Sequence, residues 1–198
     1  MNNKNESVTP ELNVESANQK SAFRQVIETI LYFVVILGAV FLIQRYVIQP
    51  VEVDGISMEA TLDDENHLLL EKVSYWFAGP KRYDVIVFQP YEYEKGMYYI
   101  KRVIGLPGET VQILDNIIYI NGEPLSENFG KENVIQDAGI AMEPITLLED
   151  EYFVLGDNRN HSKDSRNETV GVVNKDSILG KAWCRIWPLN QFGIIKHE

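Results

Sequence analysis

The chain is 198 residues long, 45% hydrophobic and 11% aromatic, with 18 basic against 29 acidic side chains and a net charge of −11. That length holds one ordinary domain plus a short anchor, and the apolar share is that of a folded protein. The acidic balance gives phosphate backbones no electrostatic footing, so no nucleic-acid partner is expected. A single cysteine, Cys184, rules out an intramolecular disulfide, and His67, His161 and His197 show no metal-ligand spacing. Neither a metal nor another cofactor is expected.

Residues 1–22 are rich in Asn, Glu, Ser and Gln and read as a disordered tail. An apolar run over residues 29–43 follows, and with Val26, Val47 and Ile48 it reaches membrane-spanning length. It is longer than the apolar part of an export signal and has no small-x-small cleavage site after it, so a retained anchor is expected. Lys20 and Arg24 precede the run and only Arg45 lies close behind it. The positive-inside rule then puts the N-terminus in the cytoplasm and the larger C-terminal part outside. The division expected is a disordered cytoplasmic tail over 1–24, a transmembrane anchor over 25–48 and an extracytoplasmic β-rich domain over 49–198.

Beyond Pro50 the pattern breaks into short β-rich pieces: 51–53, 84–88, 98–104, 111–114, 117–120, 152–155, and 178–180 running into Trp183. Asp115-Asn116 and Asn121-Gly122 supply hairpin turns. Residues 67–75 fit strand or helix, because Leu68-Leu69-Leu70 is too short for periodicity to decide. Residues 129–144 are weakly patterned and read as a loop or small insertion. The fold class expected is mostly β, behind one N-terminal transmembrane helix.

Three segments could carry chemistry. Ser57 opens Ser57-Met58-Glu59-Ala60-Thr61-Leu62, and a serine hydroxyl needs a neighbouring base to become a nucleophile. None of the histidines has a setting that suits that role: His67 opens an apolar run, His161 lies in a polar turn and His197 at a frayed end. Lys101, between Tyr99-Ile100 and Val103-Ile104, reads as lying on a buried strand, where desolvation disfavours the ammonium and lowers its pKa toward that of a general base. Taken alone, Ser57 is more often a turn or cap residue, and Lys101 a strand-end lysine that snorkels to water. The third segment, residues 156–166, is a dense polar loop that alone reads as a solvated turn with surface ion pairs.

The four stretches Ser57-Met58 with Thr61-Leu62, Arg82 to Phe88, Tyr99 to Glu109, and Gly156-Asp157-Asn158-Arg159 through Asp164-Ser165-Arg166 resemble, in order, the signature blocks of bacterial type I signal peptidases. The single span and short domain are more similar to the compact Gram-positive form. The resemblance implies a signal-peptidase-like β domain and a membrane-anchored serine endopeptidase that removes signal peptides from exported preproteins. Its partners would be those signal peptides and membrane lipid. It places the enzyme in the cell membrane as a single-pass protein, with the catalytic domain on the extracellular side. By the same resemblance Ser57 is the nucleophile and Lys101 the general base, Ser162 orients the lysine amine, and Asp164 and Arg166 brace the site. Val53, Met58, Leu62, Tyr99 and Ile100 are candidates for the wall of the substrate groove, with ordinary core packing as the alternative for each. Trp76-Phe77 reads either as an interfacial anchor or as core.

Two departures from the family pattern stand out. Ala60 occupies a position usually held by proline, which implies a less rigid nucleophile loop. Gly55 stands where some relatives carry a hydroxyl that helps bind the oxyanion, which leaves the Ser57 backbone N–H as the donor. Two other classes fit parts of the pattern. A silent peptide-binding module on the same scaffold would not need both Ser57 and Lys101, and a self-cleaving serine-lysine regulator would carry a DNA-binding helix pair where this chain has its span.

Overall fold

A computed structural model describes residues 11–90, 97–132 and 135–197, with side chains from Phe23 onward. The chain divides into two compact units, Met1–Arg45 and Tyr46–Glu198.

The first unit is carried by one helix, α1 (Glu11–Tyr46). Its stretch Phe23–Tyr46, 24 residues, is long and apolar enough to cross a membrane by length and composition, and 0% of its apolar window is buried in protein. Phe33, Leu37 and Phe41 are exposed, an arrangement that costs free energy in water and none in hydrocarbon. The helix starts at Glu11, so it continues into the stretch expected to be a disordered tail up to residue 24. Adding turns to an existing helix avoids the cost of nucleation, which composition alone does not register. At the other end Val47 and Ile48 leave the expected anchor, because α1 stops at Tyr46 and the first strand begins at Ile48.

The second unit is mostly β. Its elements in chain order are β1 (Ile48–Glu52), β2 (His67–Glu71), the one-turn α2 (Ser74–Phe77), β3 (Val85–Phe88), β4 (Tyr99–Gly105), β5 (Thr110–Leu114), β6 (Ile117–Ile120), β7 (Glu123–Pro124), β8 (Ile145–Thr146), β9 (Glu151–Leu155), β10 (Val173–Asn174), β11 (Ile178–Trp187) and β12 (Gly193–Ile194). An eight-stranded sheet runs β1-β2-β11-β3-β4-β9-β10, with β12 paired to β11, and a four-stranded sheet runs β7-β6-β5-β8. The ambiguous stretch 67–75 thus splits into a strand and a short helix. Trp76 and Phe77 on that helix are 59% and 86% exposed, which removes the reading that buries them in the core. Within 129–144 the described residues contribute only a turn of 3-10 helix, Gly139–Met142; residues 133 and 134 lie outside the description.

Asp115 and Asn116, at φ 46° and 68°, make the tight turn of the β5–β6 hairpin, the left-handed pair that such turns require. Asn121 and Gly122, at φ 54° and 83°, repeat it between β6 and β7.

The centre of the larger sheet is buried on both faces, as β-branched strands without strict alternation dictate. All four residues of β3 are buried. Ile104 of β4 joins Phe153 and Leu155 of β9 in the core shared with β5 and β6, while Val103 joins Ile86, Phe88 and Val154 on the opposite face. A third cluster packs Val53, Met58 and Leu62 against Leu68, Val85, Ala182 and Ile195. That cluster anchors the turn after Ser57 to the sheet and so fixes the height of the serine relative to β4.

Candidate active site

Ser57 lies on a turn closed by Thr61 N and Leu62 N, which both donate to Met58 O at 3.0 and 2.9 Å. The turn is held from below by Met58 and Leu62, each only 1% exposed. Its outer edge is tied to the loop after β9: Asn158 N donates to Ser57 O at 3.1 Å, and Asn158 Nδ2 donates to Ile56 O at 3.0 Å. Gly156 makes this approach feasible, since a Cβ there would collide with both Ser57 O and Ser162 Oγ.

Lys101 sits near the start of β4, paired in register with Ile86 of β3. Its amine is 2.7 Å from Ser57 Oγ and donates to Ile100 O at 2.9 Å. The side chain is buried, at 4% exposure. Desolvation lowers its pKa from 10.5 to about 8, against the opposing pull of Asp164 and Asp157. At pH 7 about one such lysine in ten is neutral, against about three in ten thousand without the shift. In the charged form the ammonium donates to the serine oxygen; in the neutral form the direction reverses and the hydroxyl donates to the amine lone pair. A separation of 2.7 Å is within the range in which a base takes a proton directly.

Alternation along β4 sends Arg102 to the face opposite Lys101. Arg102 is fully buried and forms a two-pronged pair with Asp157, Nε to Oδ1 at 2.9 Å and Nη2 to Oδ2 at 2.7 Å. Thr61 Oγ1 donates to the same carboxylate at 2.5 Å, so one charge pair joins β4, the loop after β9 and the end of the serine turn. The guanidinium carbon also lies 3.8 Å from the centre of the Phe129 ring. Neither Arg102 nor Asp157 was assigned a role from the sequence. A signal for them existed: an arginine beside a buried lysine on an apolar strand must point to the other side and needs a buried carboxylate.

The remaining expected residues separate. Arg166 grips Asp164 with Nε and Nη2, both at 2.8 Å, and Asp164 Oδ2 accepts from Gly156 N at 3.0 Å. The pair thus holds the glycine that Ser57 O and Ser162 approach. Ser162 Oγ is buried and makes no hydrogen bond among the described residues; the two acceptors Lys101 does use are Ser57 Oγ and Ile100 O. Val53, Met58, Tyr99 and Ile100 line a groove of about 500 Å³ that opens onto Ser57 and Lys101. Leu62 does not line it; the leucine is buried in the cluster beneath the turn, with Val53, Met58 and Leu68.

Ala60 departs from expectation in a different way. Its φ is 108°, a value open to glycine and closed to proline, whose ring fixes φ near −65°. The turn therefore does not hold a proline-compatible backbone that has lost its proline. Gly55 has φ 93° and donates to Asp64 Oδ1 at 2.7 Å, so a hydroxyl-bearing residue there would be strained. Ser57 N makes no backbone hydrogen bond among the described residues, which leaves that donor available to an incoming carbonyl oxygen. His197 is not at a frayed end: its Nδ1 accepts from Val85 N at 3.2 Å, and burial together with Lys181 lowers its pKa from 6.5 to about 4.

Residues 26–187 match the family model described as signal peptidase, peptidase S26. The chain belongs to that family. It is 34% identical over 183 residues to signal peptidase I of Bacillus licheniformis, covering 89% of this chain and 95% of that one. It is 41% identical over 157 residues to signal peptidase I of Leptolyngbya laminosa, covering 76% and 74%. A crystal structure of a signal peptidase I from Enterococcus faecalis is 38% identical, covers 52% of this chain and 95% of that chain, and superposes with a TM-score of 0.41. Family membership makes this chain a peptidase, and the two relatives span most of its length rather than a fragment of it.

Proposed function

We propose that the protein is a membrane-anchored serine endopeptidase that cuts signal peptides from exported preproteins, with Ser57 as nucleophile and Lys101 as general base. The observation that carries this reading is the 2.7 Å contact between Ser57 Oγ and a buried Lys101 amine beside a groove that opens onto both. Neutral Lys101 takes the Ser57 proton as Oγ bonds to the scissile carbonyl carbon, and the Ser57 N–H receives the developing oxyanion. The protonated amine then gives its proton to the leaving nitrogen, the C–N bond breaks, and the acyl-enzyme remains. Lys101, neutral again, takes a proton from water; the hydroxide adds to the ester carbon and Ser57 leaves with the proton returned. Asp164 and Arg166 hold Gly156 against the back of Ser57, and Val53, Met58, Tyr99 and Ile100 supply the apolar wall for the small residues that end a signal peptide.

The helix Phe23–Tyr46 is the anchor in this reading, with the N-terminus in the cytoplasm and the second unit outside. Sharing a membrane with its substrate raises the effective concentration without any added contact. Cleavage of a preprotein by purified full-length protein tests the assignment. Ser57→Ala is expected to abolish it, Lys101→Ala to slow it by about 10²- to 10⁴-fold or more, and His161→Ala to leave it intact. Cleavage by Lys101→Ala at the parental rate would remove the dyad. Cleavage that survives Ser57→Ala would favour a different nucleophile on the same scaffold.

A further inference from the structure

After β12 the chain runs back beneath the site. Ile195, 5% exposed, enters the cluster that contains Met58 and Leu62 under the serine turn, and Ile195 N donates to Trp183 O at 3.0 Å. The next carbonyl, Lys196 O, accepts from Arg102 Nη1 at 2.9 Å. His197 then caps Val85 N, the β3 residue paired in register with Arg102. A second tether comes from Arg185, which donates to Gln191 O at 2.9 Å and to Thr61 O at 3.3 Å. This strap lies beyond residue 187, where the family match ends.

We infer that residues 193–197 are a positioning element for the Ser57–Lys101 pair, an inference that rests on the proposed serine-lysine reading. The strap bears on the site from two sides. Ile195 supports the floor of the serine turn, and the Lys196 carbonyl fills one of the few places a buried guanidinium can donate, holding Arg102 where it also reaches Asp157. Arg102 is the neighbour of Lys101 on a strand, so a shift or rotation of one moves the other. Without the strap, Arg102 has an unsatisfied buried donor, and water enters beneath β4 to supply it. No strap residue touches the groove, so it acts only through the residues above it.

The test uses full-length protein in detergent with a preprotein substrate, a chain ended at Gly193, Ile195→Ala, and Ile195→Leu as the conservative variant. Both disruptive variants are expected to lose at least about tenfold in kcat with KM within about twofold. Their acid limb should move to higher pH than the parent's, as the serine turn, no longer supported by Ile195 beneath Met58, loosens and lets water from the groove reach Lys101 and relieve its desolvation. Ile195→Leu should restore both. If the shortened chain does not fold, Ile195→Ala decides alone. Folded variants with parental kcat and an unmoved acid limb would overturn the inference, as would a loss of rate that only tracks the fraction unfolded. Parental protein that cleaves nothing, or Ser57→Ala that still cleaves, would instead strike the underlying reading, so the two failures are separable.

Discussion

At the scale of residues, burying Lys101 carries a cost, which the proposed role as general base would explain. Its pKa is depressed from 10.5 to about 8. Below pH 8 both folded and unfolded lysines are charged and the folded one lacks its full hydration, so the penalty is fully present there. Between 8 and 10.5 the folded state has released its proton while the unfolded state still binds one, so the protein gains stability as pH rises. A shift of that size corresponds to about 3 kcal/mol. Lys101→Met is therefore expected to raise the unfolding temperature at pH 7 while abolishing cleavage, and its advantage should shrink as pH climbs through 8. A lowered unfolding temperature at pH 7, measured by circular dichroism, would mean that the contacts to Ser57 and Ile100 outweigh the desolvation. Ser57 and Lys101 were legible in the sequence because the order of the surrounding blocks singled them out. That Ser162 Oγ stands buried without a hydrogen bond among the described residues, while the Lys101 amine turns to Ser57 and Ile100, was not, since a hydroxyl's direction depends on packing that no motif encodes.

At the scale of elements, the turn at 57–62 and the strand β4 are joined by chemistry that sequence patterns pass over. Asp157 lies in a stretch that reads as a solvated loop, yet it is fully buried with Arg102. Breaking a buried pair by removing one charge is strongly destabilising, about 3 to 5 kcal/mol, because the other charge is left alone in a low-dielectric site. Asp157→Asn is expected to lower stability by an amount of that order in urea unfolding; a change under about 1 kcal/mol would show the pair to be solvated. The turn itself gives a second expectation, from Ala60 at φ 108°. Ala60→Gly should stabilise by roughly 1 kcal/mol through relief of the positive φ, and Ala60→Pro should destabilise, since the ring cannot reach that backbone angle. Stabilisation by the proline, read from the same unfolding curves, would mean that the turn has the ordinary family backbone. Strands rich in Val and Ile were readable from composition, and so were the turns at Asp115-Asn116 and Asn121-Gly122. The short pieces β7, β8, β10 and β12 were not: two residues carry no periodicity, and each exists only because a longer strand offers it an edge.

At the scale of the whole molecule, the chain divides into a unit carried by a helix long and apolar enough to cross a membrane and a mostly β unit with its own cores. What could not be read was long-range convergence. Ser57 and Lys101 are 44 positions apart, and the strap returns to Val85 of β3, 112 positions before His197, and to Arg102 of β4, 94 before Lys196. Such contacts come from sheet order, which local propensity leaves undetermined. The groove, the buried amine and the serine turn lie together, and under the proposed serine-lysine reading the lysine must be neutral to act, which sets the shape of the rate's dependence on acidity. The direct measurement is kcat/KM for preprotein cleavage by the full-length enzyme from pH 5 to pH 10. With Lys101 as base, log kcat/KM should rise with unit slope and level off near pH 8, following its depressed pKa. A rate that stays flat down to pH 5 would contradict a lysine base at this site.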